Sequence, residues 1–285
     1  CSVMTASQML PEVAALLRIT PSLSERATSS KPSGSTGRTN MSGASASKAR
    51  AMPLVRPPPP QHTITSALVT PCSAAWVAIS RPTVPWPAIT CASSKGLGKG
   101  CAEALAGEGV DLILNARGAE SLEATAANIR STYGVSVVAV PADITTEAGQ
   151  AAVLEAAGDI DILVTNAGGP PPGTWSDWNR DDFIAAFDAN LLTPIALIKA
   201  SLPGMMDRGW GRIVNITSVA VKAPIPVLGL SNTARSGLTG YVAGVSRQVA
   251  GSGVTINNLL PGLHDTDRLV TLDKVDAGAR GISED

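Results

Sequence analysis

The amino-acid sequence predicts an α/β protein built on a doubly wound parallel sheet with helices on both faces. From about residue 88 onward, short apolar runs alternate with Ala-rich amphipathic stretches. This alternation is typical of repeated β-α-β units, in which each helix returns the chain to the next parallel strand. Such crossovers are right-handed and produce a doubly wound sheet. In sheets of this kind, ligands bind beyond the carboxyl ends of the strands, at the point where the strand order reverses.

The elements follow in order from the apolar runs and the amphipathic stretches. Six strands are predicted, at residues 88–91, 111–115, 136–140, 161–165, 212–217 and 254–258. Five helices are predicted, at residues 97–106, 119–131, 147–157, 181–201 and 231–250. One helix therefore lies in every interval between consecutive strands, as parallel pairing requires.

Length and composition exclude several classes of protein. The 285 residues suffice for one or two domains with a substantial core. A net charge of −1 disfavours nucleic-acid or membrane electrostatics, and no uninterrupted apolar run approaches the roughly 20 residues of a bilayer span. The four cysteines lack metal-type spacing, so no metal site and no disulfide framework is predicted, and a reducing, cytoplasmic location is favoured.

The chain joins two unlike compositions. Residues 1–87 hold 8 Lys or Arg, 2 Glu and 12 of the 21 prolines, whereas residues 88–285 hold 14 Lys or Arg and 21 Asp or Glu. A proline-rich, Ser/Gly-rich segment does not sustain helical or strand periodicity for long. We interpret 1–87 as a low-complexity region, with a disordered basic tail, a non-native leader and a targeting peptide as open alternatives, and 88–285 as the folded domain.

A glycine loop follows the first predicted strand. Residues 91–98 read CASSKGLG and run directly into the first helix. Gly96 and Gly98 stand where a strand-to-helix turn brings backbone N–H groups and the helix dipole onto a pyrophosphate.

With this loop as the first of a series of motifs, residues 88–270 resemble the short-chain dehydrogenase/reductase family, whose fold is Rossmann-type. The loop is similar to TGxxxGxG, residues 166–168 to NNAG, and residues 261–266 to PGxxxT. Asn190 and Ser218 stand where the family has a catalytic Asn and Ser. The resemblance implies a set of cofactor-binding residues: Ser93, Ser94, Lys95, Gly96, Leu97, Gly98, Arg117, Asp143, Ile144, Asn166, Ala167, Gly168, Pro261, Gly262 and Thr266.

Charge at the end of the second strand favours NADP(H) over NAD(H). An Asp or Glu there accepts from a ribose 2′-hydroxyl and repels a 2′-phosphate. This chain has Asn115, Ala116 and Arg117 instead, and Lys95 in the glycine loop is a second cation. Both cations can pair with a 2′-phosphate, although ordinary solvated surface cations are the alternative interpretation.

The sequence departs from the family pattern at the residue that acts as the acid. The resembling family carries a Tyr and, four residues later, a Lys on one helix face, and the Lys lowers the pKa of the phenol that exchanges a proton with substrate. Thirteen residues after Ser218 this chain has Ser231, and four further on it has Arg235. We assign Ser231 and Arg235 to the catalytic set with Asn190 and Ser218, with Arg235 expected to hold the nicotinamide ribose.

No tyrosine offers a replacement acid, because Tyr133 and Tyr241 lie on other helices or faces. His264, in the loop after the last strand, is a candidate; a loop histidine without a role and a histidine that contacts the substrate are the alternatives.

The sequence thus predicts an NADP(H)-dependent oxidoreductase acting on a carbonyl or secondary alcohol, similar to 3-oxoacyl reductases. The expected partner is a small-molecule substrate, and the resemblance also allows a homo-oligomer. A catalytically impaired nucleotide-binding protein and a non-functional fragment are the alternatives. Only nineteen residues follow Thr266, whereas the family continues to a further strand, so the sheet is expected to lack its last strand.

Overall fold

The computed structural model describes residues 4–5, 87–262 and 264–265. A short parallel pair joins β1 (Met4–Thr5) to β8 (His264–Asp265). The main sheet has six parallel strands: β2 (Pro87–Thr90), β3 (Asp111–Ala116), β4 (Val137–Pro141), β5 (Ile162–Thr165), β6 (Gly211–Ile216) and β7 (Val254–Leu259). Their order is β4-β3-β2-β5-β6-β7, which confirms the doubly wound sheet.

The helices occupy the intervals that the sequence predicts. They are α1 (Gly96–Gly107), α2 (Ala119–Tyr133), α3 (Glu147–Ala157), α4 (Arg180–Phe187), α5 (Thr193–Asp207) and α6 (Gly229–Val249). Short 3₁₀ turns occupy Val219–Val221, Pro226–Leu228 and Ala250–Ser252.

Alternate strand residues face opposite helical layers. Ala88 and Leu112 belong to the layer that α1 and α2 cover, whereas Ile89 and Ile113 belong to the layer that α3, α5 and α6 cover. Because both faces are buried, the central strands are largely apolar, as is typical of parallel sheets. The prediction of helices on both faces is confirmed.

The predicted helix 181–201 is wrong in its form and its end. The structure has α4, a π-helical turn at Asp188–Leu192, and then α5, which continues through Pro203 to Asp207. A π turn inserts one extra residue into a helix and leaves no mark in apolar periodicity. The start is as expected, because Asn179 caps α4 and Asp182 completes a capping box.

By length and composition alone, this helical stretch could cross a membrane, although the sequence has no uninterrupted apolar run of that length. Residues 180–207 contain a window of mean hydropathy 1.5. A core helix has the same property, and Leu197, Ile198 and Met205 are fully buried in the second layer. The absence of membrane association stays a prediction.

Predictions at the two ends of the chain lie largely outside the described residues. The interpretation of residues 1–87 concerns a segment of which only residues 4–5 and 87 are described. A further strand after residue 266 would lie in the part that is not described. Both predictions remain as stated above.

Candidate functional site

The candidate site lies at the carboxyl edge of the sheet, beside the reversal of strand order between β2 and β5. Loops that follow β2, β3, β4, β5, β6 and β7 carry most of the predicted site residues. The fold therefore brings segments that are far apart in sequence to one edge.

The glycine loop has the geometry of an anion site. Helix α1 begins at Gly96, and its N-cap Lys95 makes no side-chain capping hydrogen bond. Gly96 has φ +57°, and Gly98 is buried against the carbonyl of Ala92, which an added Cβ would contact. Only glycine lets the amino terminus of α1 come so close to the end of the strand. The first N–H groups of α1 are then open to a phosphate.

Ala92 carries a backbone conformation that favours glycine. Its φ is +48°, the single positive value among the described non-glycine residues. The resembling family has glycine here, so alanine bears a left-handed conformation that costs an L-residue roughly 1–2 kcal/mol.

Hydrogen bonds inside the protein anchor the loop. Ser93 is fully buried, and both its backbone N–H and its hydroxyl donate to the carbonyl of Asn115, at 3.0 and 3.2 Å. The hydroxyl of Thr125 in α2 donates to the carbonyl of Ser94 at 3.1 Å. The Ser93 hydroxyl is therefore used within the fold, whereas Ser94 and Leu97 remain partly exposed.

The charged side chains near the glycine loop and the ends of β3 and β4 are exposed. Lys95 and Arg117 are both exposed, and Asn115, at the end of β3, is uncharged and buried. The backbone N–H and hydroxyl of Thr145 lower the pKa of Asp143, and Arg117 lowers it further. The side chain of Ile144 packs against the second core layer.

The predicted catalytic residues form a second group, and the first of them, Asn190, lies in the π turn between α4 and α5. Its Nδ2 donates to the carbonyls of Gly168 and Ala186 at 3.5 and 3.4 Å. Its Oδ1 is buried and has no hydrogen-bond partner. A buried amide oxygen of this kind requires a donor from water or a ligand.

Ser218 follows the last residues of β6. Its hydroxyl oxygen accepts from the backbone N–H of Ala220 at 3.1 Å, and the side chain is partly exposed. The hydroxyl proton is still able to donate. The N–H of Val219 donates to the carbonyl of Pro261 at 2.9 Å, which ties this loop to the one after β7.

Ser231 and Arg235 form a buried pair on α6. Arg235 Nε donates to the Ser231 hydroxyl oxygen at 3.1 Å, and Nη1 donates to the carbonyls of Ile216 and Thr217 at 2.7 and 2.8 Å. The two residues are only 6% and 8% exposed. The guanidinium thus clamps α6 to the end of β6, a role that the sequence analysis did not predict.

A small pocket opens at the ends of β5 and β6. It brings together four predicted site residues, Asn166, Ala167, Asn190 and Arg235. Its other lining residues are Thr165, Pro194, Ile216 and Leu238. Ser218 and Ser231 do not line it.

A ladder of polar side chains below this pocket was missed in the sequence. Thr165 donates its hydroxyl to Asn215 Oδ1 at 2.7 Å, and Asn215 Nδ2 donates to Asn258 Oδ1 at 3.0 Å. These residues are in register on β5, β6 and β7. The polar residues near the carboxyl ends of these three strands were the signal that could have revealed it.

The candidate replacement acid His264 and the two tyrosines do not line this pocket. His264 is 7% exposed, and its Nδ1 lies 3.2 Å from the carbonyl oxygen of Gly262. Tyr241 packs against the second core layer, and Tyr133 is 40% exposed at the end of α2. Thr266 lies outside the described residues.

No metal cluster of three His, Cys, Asp or Glu side chains occurs among the residues that the structure describes. Burial raises the pKa of the Cys91 and Cys101 thiols to about 12 each. Both cysteines are free and buried, so they are inert toward nucleophilic chemistry.

Comparison with known proteins decides the family. Residues 87–276 match the family model described as short chain dehydrogenase. The chain belongs to the short-chain dehydrogenase family. This confirms the resemblance and covers all six strands of the main sheet.

Curated relatives of this short-chain dehydrogenase include reductases. It is 32% identical over 174 residues to ketoacyl reductase HetN of Nostoc sp., a match that spans 60% of this chain and 60% of that protein. It is 32% identical over 209 residues to 3-oxoacyl-[acyl-carrier-protein] reductase FabG of Vibrio cholerae, covering 68% of this chain and 83% of that protein.

Solved structures agree with the fold of this short-chain dehydrogenase. L-sorbose reductase from Gluconobacter frateurii, complexed with NADPH and L-sorbose, superposes with a TM-score of 0.65 at 27% identity, covering 69% of this chain and 76% of that one. Actinorhodin polyketide ketoreductase with NADPH gives a TM-score of 0.65 at 28% identity, covering 70% of this chain and 78% of that one.

Proposed function

We propose that this chain is an NADP(H)-dependent oxidoreductase that transfers hydride between nicotinamide and a carbonyl or secondary-alcohol carbon of a small molecule. 3-Oxoacyl compounds are the first candidate class, because ketoacyl and 3-oxoacyl reductases are among the relatives. The observation that carries the proposal is the uncapped amino terminus of α1, held against the end of β2 by Gly98.

The residues of the cleft fit a dinucleotide. Gly168 and Gly262 lie at the carboxyl edge, and an added Cβ at either position would meet no atom within 4 Å. Their small size is therefore not required by packing within the described protein, and it fits close approach by a ligand. The bound cofactor would supply the hydride.

The preference for NADP(H) rests on charge. Lys95 and Arg117 are exposed beside the glycine loop and the end of β3, and the side chain at the end of that strand, Asn115, carries no negative charge. The NADPH in several structural relatives supports the same cofactor.

The remaining roles follow from the hydrogen bonds. Ser218 would donate a hydrogen bond from its hydroxyl to the substrate oxygen and so polarise the carbonyl, while the group that supplies the proton is not assigned. Asn190 would hold a water or a polar ligand group through its unpartnered Oδ1. Arg235 fixes the end of β6 beside Ser218 through the two carbonyls that it binds.

A second candidate function is nucleotide binding with little or no hydride transfer. The observation that favours it is the burial of Ser231 beneath the Arg235 guanidinium. A serine hydroxyl is a far weaker acid than a phenol, and a guanidinium does not titrate near neutral pH. Neither side chain supplies a proton to a developing alkoxide.

Titration of the purified protein with NADPH and with NADH, followed by cofactor fluorescence, tests the proposal. We expect NADPH to bind at least tenfold more tightly than NADH, and Arg117→Asp to abolish that preference by opposing the 2′-phosphate. Arg247→Asp is the matched control, because Arg247 is exposed on α6. Failure of both cofactors to bind the folded protein would rule out the proposed function.

Turnover separates the two candidate functions. We would incubate the NADPH-loaded protein with acetoacetyl-CoA and analyse the product. Formation of the 3-hydroxyacyl product supports an oxidoreductase, whereas tight NADPH binding without product supports the nucleotide-binding alternative.

We also propose a reducing location for the protein and a test of its assembly. Free, buried Cys91 and Cys101 support a reducing compartment such as the cytoplasm. Light scattering of the purified protein would establish whether it is a homo-oligomer.

A further inference from the structure

Asn115 connects three segments of the nucleotide side. It lies in β3, next to the last residue of that strand, and is only 1% exposed. A buried amide requires hydrogen-bond partners. The side-chain nitrogen of Asn115 has its partners at the end of β4 and in the turn that follows, and the backbone carbonyl of Asn115 binds the loop after β2.

The side chain binds the turn that follows β4. Asn115 Nδ2 donates to the carbonyls of Val140 and Ala142, each at 3.0 Å. The N–H of Ala142 donates in return to the carbonyl of Ala116 at 3.1 Å. These bonds fix the backbone that leads directly to Asp143.

The backbone of the same residue binds the glycine loop. The Asn115 carbonyl accepts from the N–H and from the hydroxyl of Ser93, at 3.0 and 3.2 Å. Ser93 is fully buried and directly precedes the loop residues Ser94 and Lys95. One residue therefore sets the spacing between the glycine loop and the turn after β4.

We propose that Asn115 is a positioning residue for the adenosine half of the cofactor. It preforms the cleft between the glycine loop, Arg117 and Asp143 without touching the nucleotide itself. This inference rests on the proposed function, because it requires NADP(H) in that cleft. Ser231 and Arg235 of the reaction side lie on α6, and none of these bonds involves them.

The geometry needs an amide. Two donors on one nitrogen meet two carbonyl oxygens, which a hydroxyl with one proton cannot do. A carboxylate would place negative charge against both oxygens. Asn115→Ala removes both bonds, and Ser93→Ala removes one bond on the opposite side of the same connection.

The test compares ligands that contain or lack the adenosine half. Affinities of the wild type, Asn115→Ala and Ser93→Ala would be measured for NADPH, adenosine 2′,5′-bisphosphate and reduced nicotinamide mononucleotide. Asn128→Ala is the matched control, since Asn128 is exposed on α2.

We expect Asn115→Ala to weaken NADPH and adenosine 2′,5′-bisphosphate about tenfold and Ser93→Ala about threefold, which corresponds to the loss of one or two hydrogen bonds. Binding of the mononucleotide should change less than twofold. If Asn115→Ala fails to fold, Ser93→Ala decides alone by the same pattern.

Two results would overturn the inference. One is unchanged NADPH affinity in the folded variants, and the other is equal weakening of NADPH and the mononucleotide, which indicates a general structural role. Both leave the proposed function intact. Failure of the wild type to bind NADPH instead removes the proposed function, and the inference with it.

Discussion

The two sides of the cleft are organised by different kinds of group. On the nucleotide side, residues 91–98, 115–117 and 141–144, the structure is set by backbone groups, glycine and hydrogen bonds to carbonyls. On the reaction side, which comprises Asn190, Ser218, Ser231 and Arg235, it is set by side chains, and two of those side chains bind each other.

This difference teaches which parts of a site tolerate sequence change. A helix terminus presents the same N–H groups whatever its side chains are, so the nucleotide side keeps its geometry although Cys91 and Ala92 depart from the family pattern. Proton transfer depends on the acidity of one side chain. At that position Ser231 changes the chemistry while α6 keeps its shape.

The largest expected effect is on the nucleotide side, at Gly98. Gly98→Val should reduce NADPH affinity at least 100-fold, because its side chain must displace the Ala92 carbonyl against which α1 rests. Overpacking of this kind also costs about 1–3 kcal/mol of stability. Cofactor titration and urea unfolding measure the two effects.

Gly240→Ala is the control for that experiment. Gly240 lies in α6, and an added Cβ there meets no atom within 4 Å. The control should bind NADPH normally and gain up to about 1 kcal/mol from helix propensity. NADPH binding by Gly98→Val equal to that of the control would show that the glycine loop is not the phosphate site.

The next effect concerns the reaction side. The double variant Ser231→Tyr, Arg235→Lys introduces a phenol and, four residues later, an ammonium group on the same helix face. We expect acetoacetyl-CoA reduction to rise about 100-fold, the lower range of a general acid's contribution. Arg235→Lys alone is the control, since it changes the cation without adding an acid.

An unchanged rate in a folded double variant that binds NADPH would contradict the assignment of the reaction side. It would mean that proton donation at position 231 does not limit the reaction. The comparison between the two sides would then rest on binding alone.

A smaller effect is expected in the loop itself. Ala92→Gly should stabilise the protein by about 0.5–1 kcal/mol, because relief of the left-handed conformation at φ +48° exceeds the entropy that glycine adds to the unfolded chain. Thermal unfolding measures the change, and a destabilised variant would show that the backbone at Ala92 is not strained. NADPH affinity should not fall.

The smallest effect is electrostatic. Thr145→Val removes the hydroxyl that helps to lower the pKa of Asp143, so the carboxyl should titrate closer to its ordinary range. A lowered pKa stabilises the fold above the unfolded pKa, and this contribution is lost as pH falls through the folded pKa. The acid arm of the stability curve should therefore be shallower in the variant.

Carboxyl resonances in an NMR titration report the pKa of Asp143 directly. Thr233→Val, at an exposed position on α6, is the control. A pKa that stays the same in Thr145→Val would assign the effect to the backbone N–H of Thr145 and to Arg117.

The sequence predicted most of the fold because strand and helix periods differ so clearly. All six strands lie within one residue of their predicted ends, and α3 matches its predicted bounds. The π turn was missed because an extra residue in a helix hardly alters the apolar pattern. The left-handed φ of Ala92 was not predicted, although the family has glycine at that position.

The site was harder to predict where it depends on side-chain geometry. Burial of Arg235 and its bonds to Ile216 and Thr217 have no signature in residue spacing. The same holds for Asn115, whose partners lie 25 and 27 residues away. The residue type at each position can be read from the sequence, but the direction of a side chain depends on tertiary packing.

The strand order also governs how the chain folds. Strand β2 pairs with β3 on one side, but its partner on the other side is β5, with Ala88 opposite Ile162. At about 5–20 residues per second, a ribosome needs several seconds to add the intervening chain. During synthesis the central strand therefore keeps an open, apolar edge, and closing the sheet is a slow, long-range step.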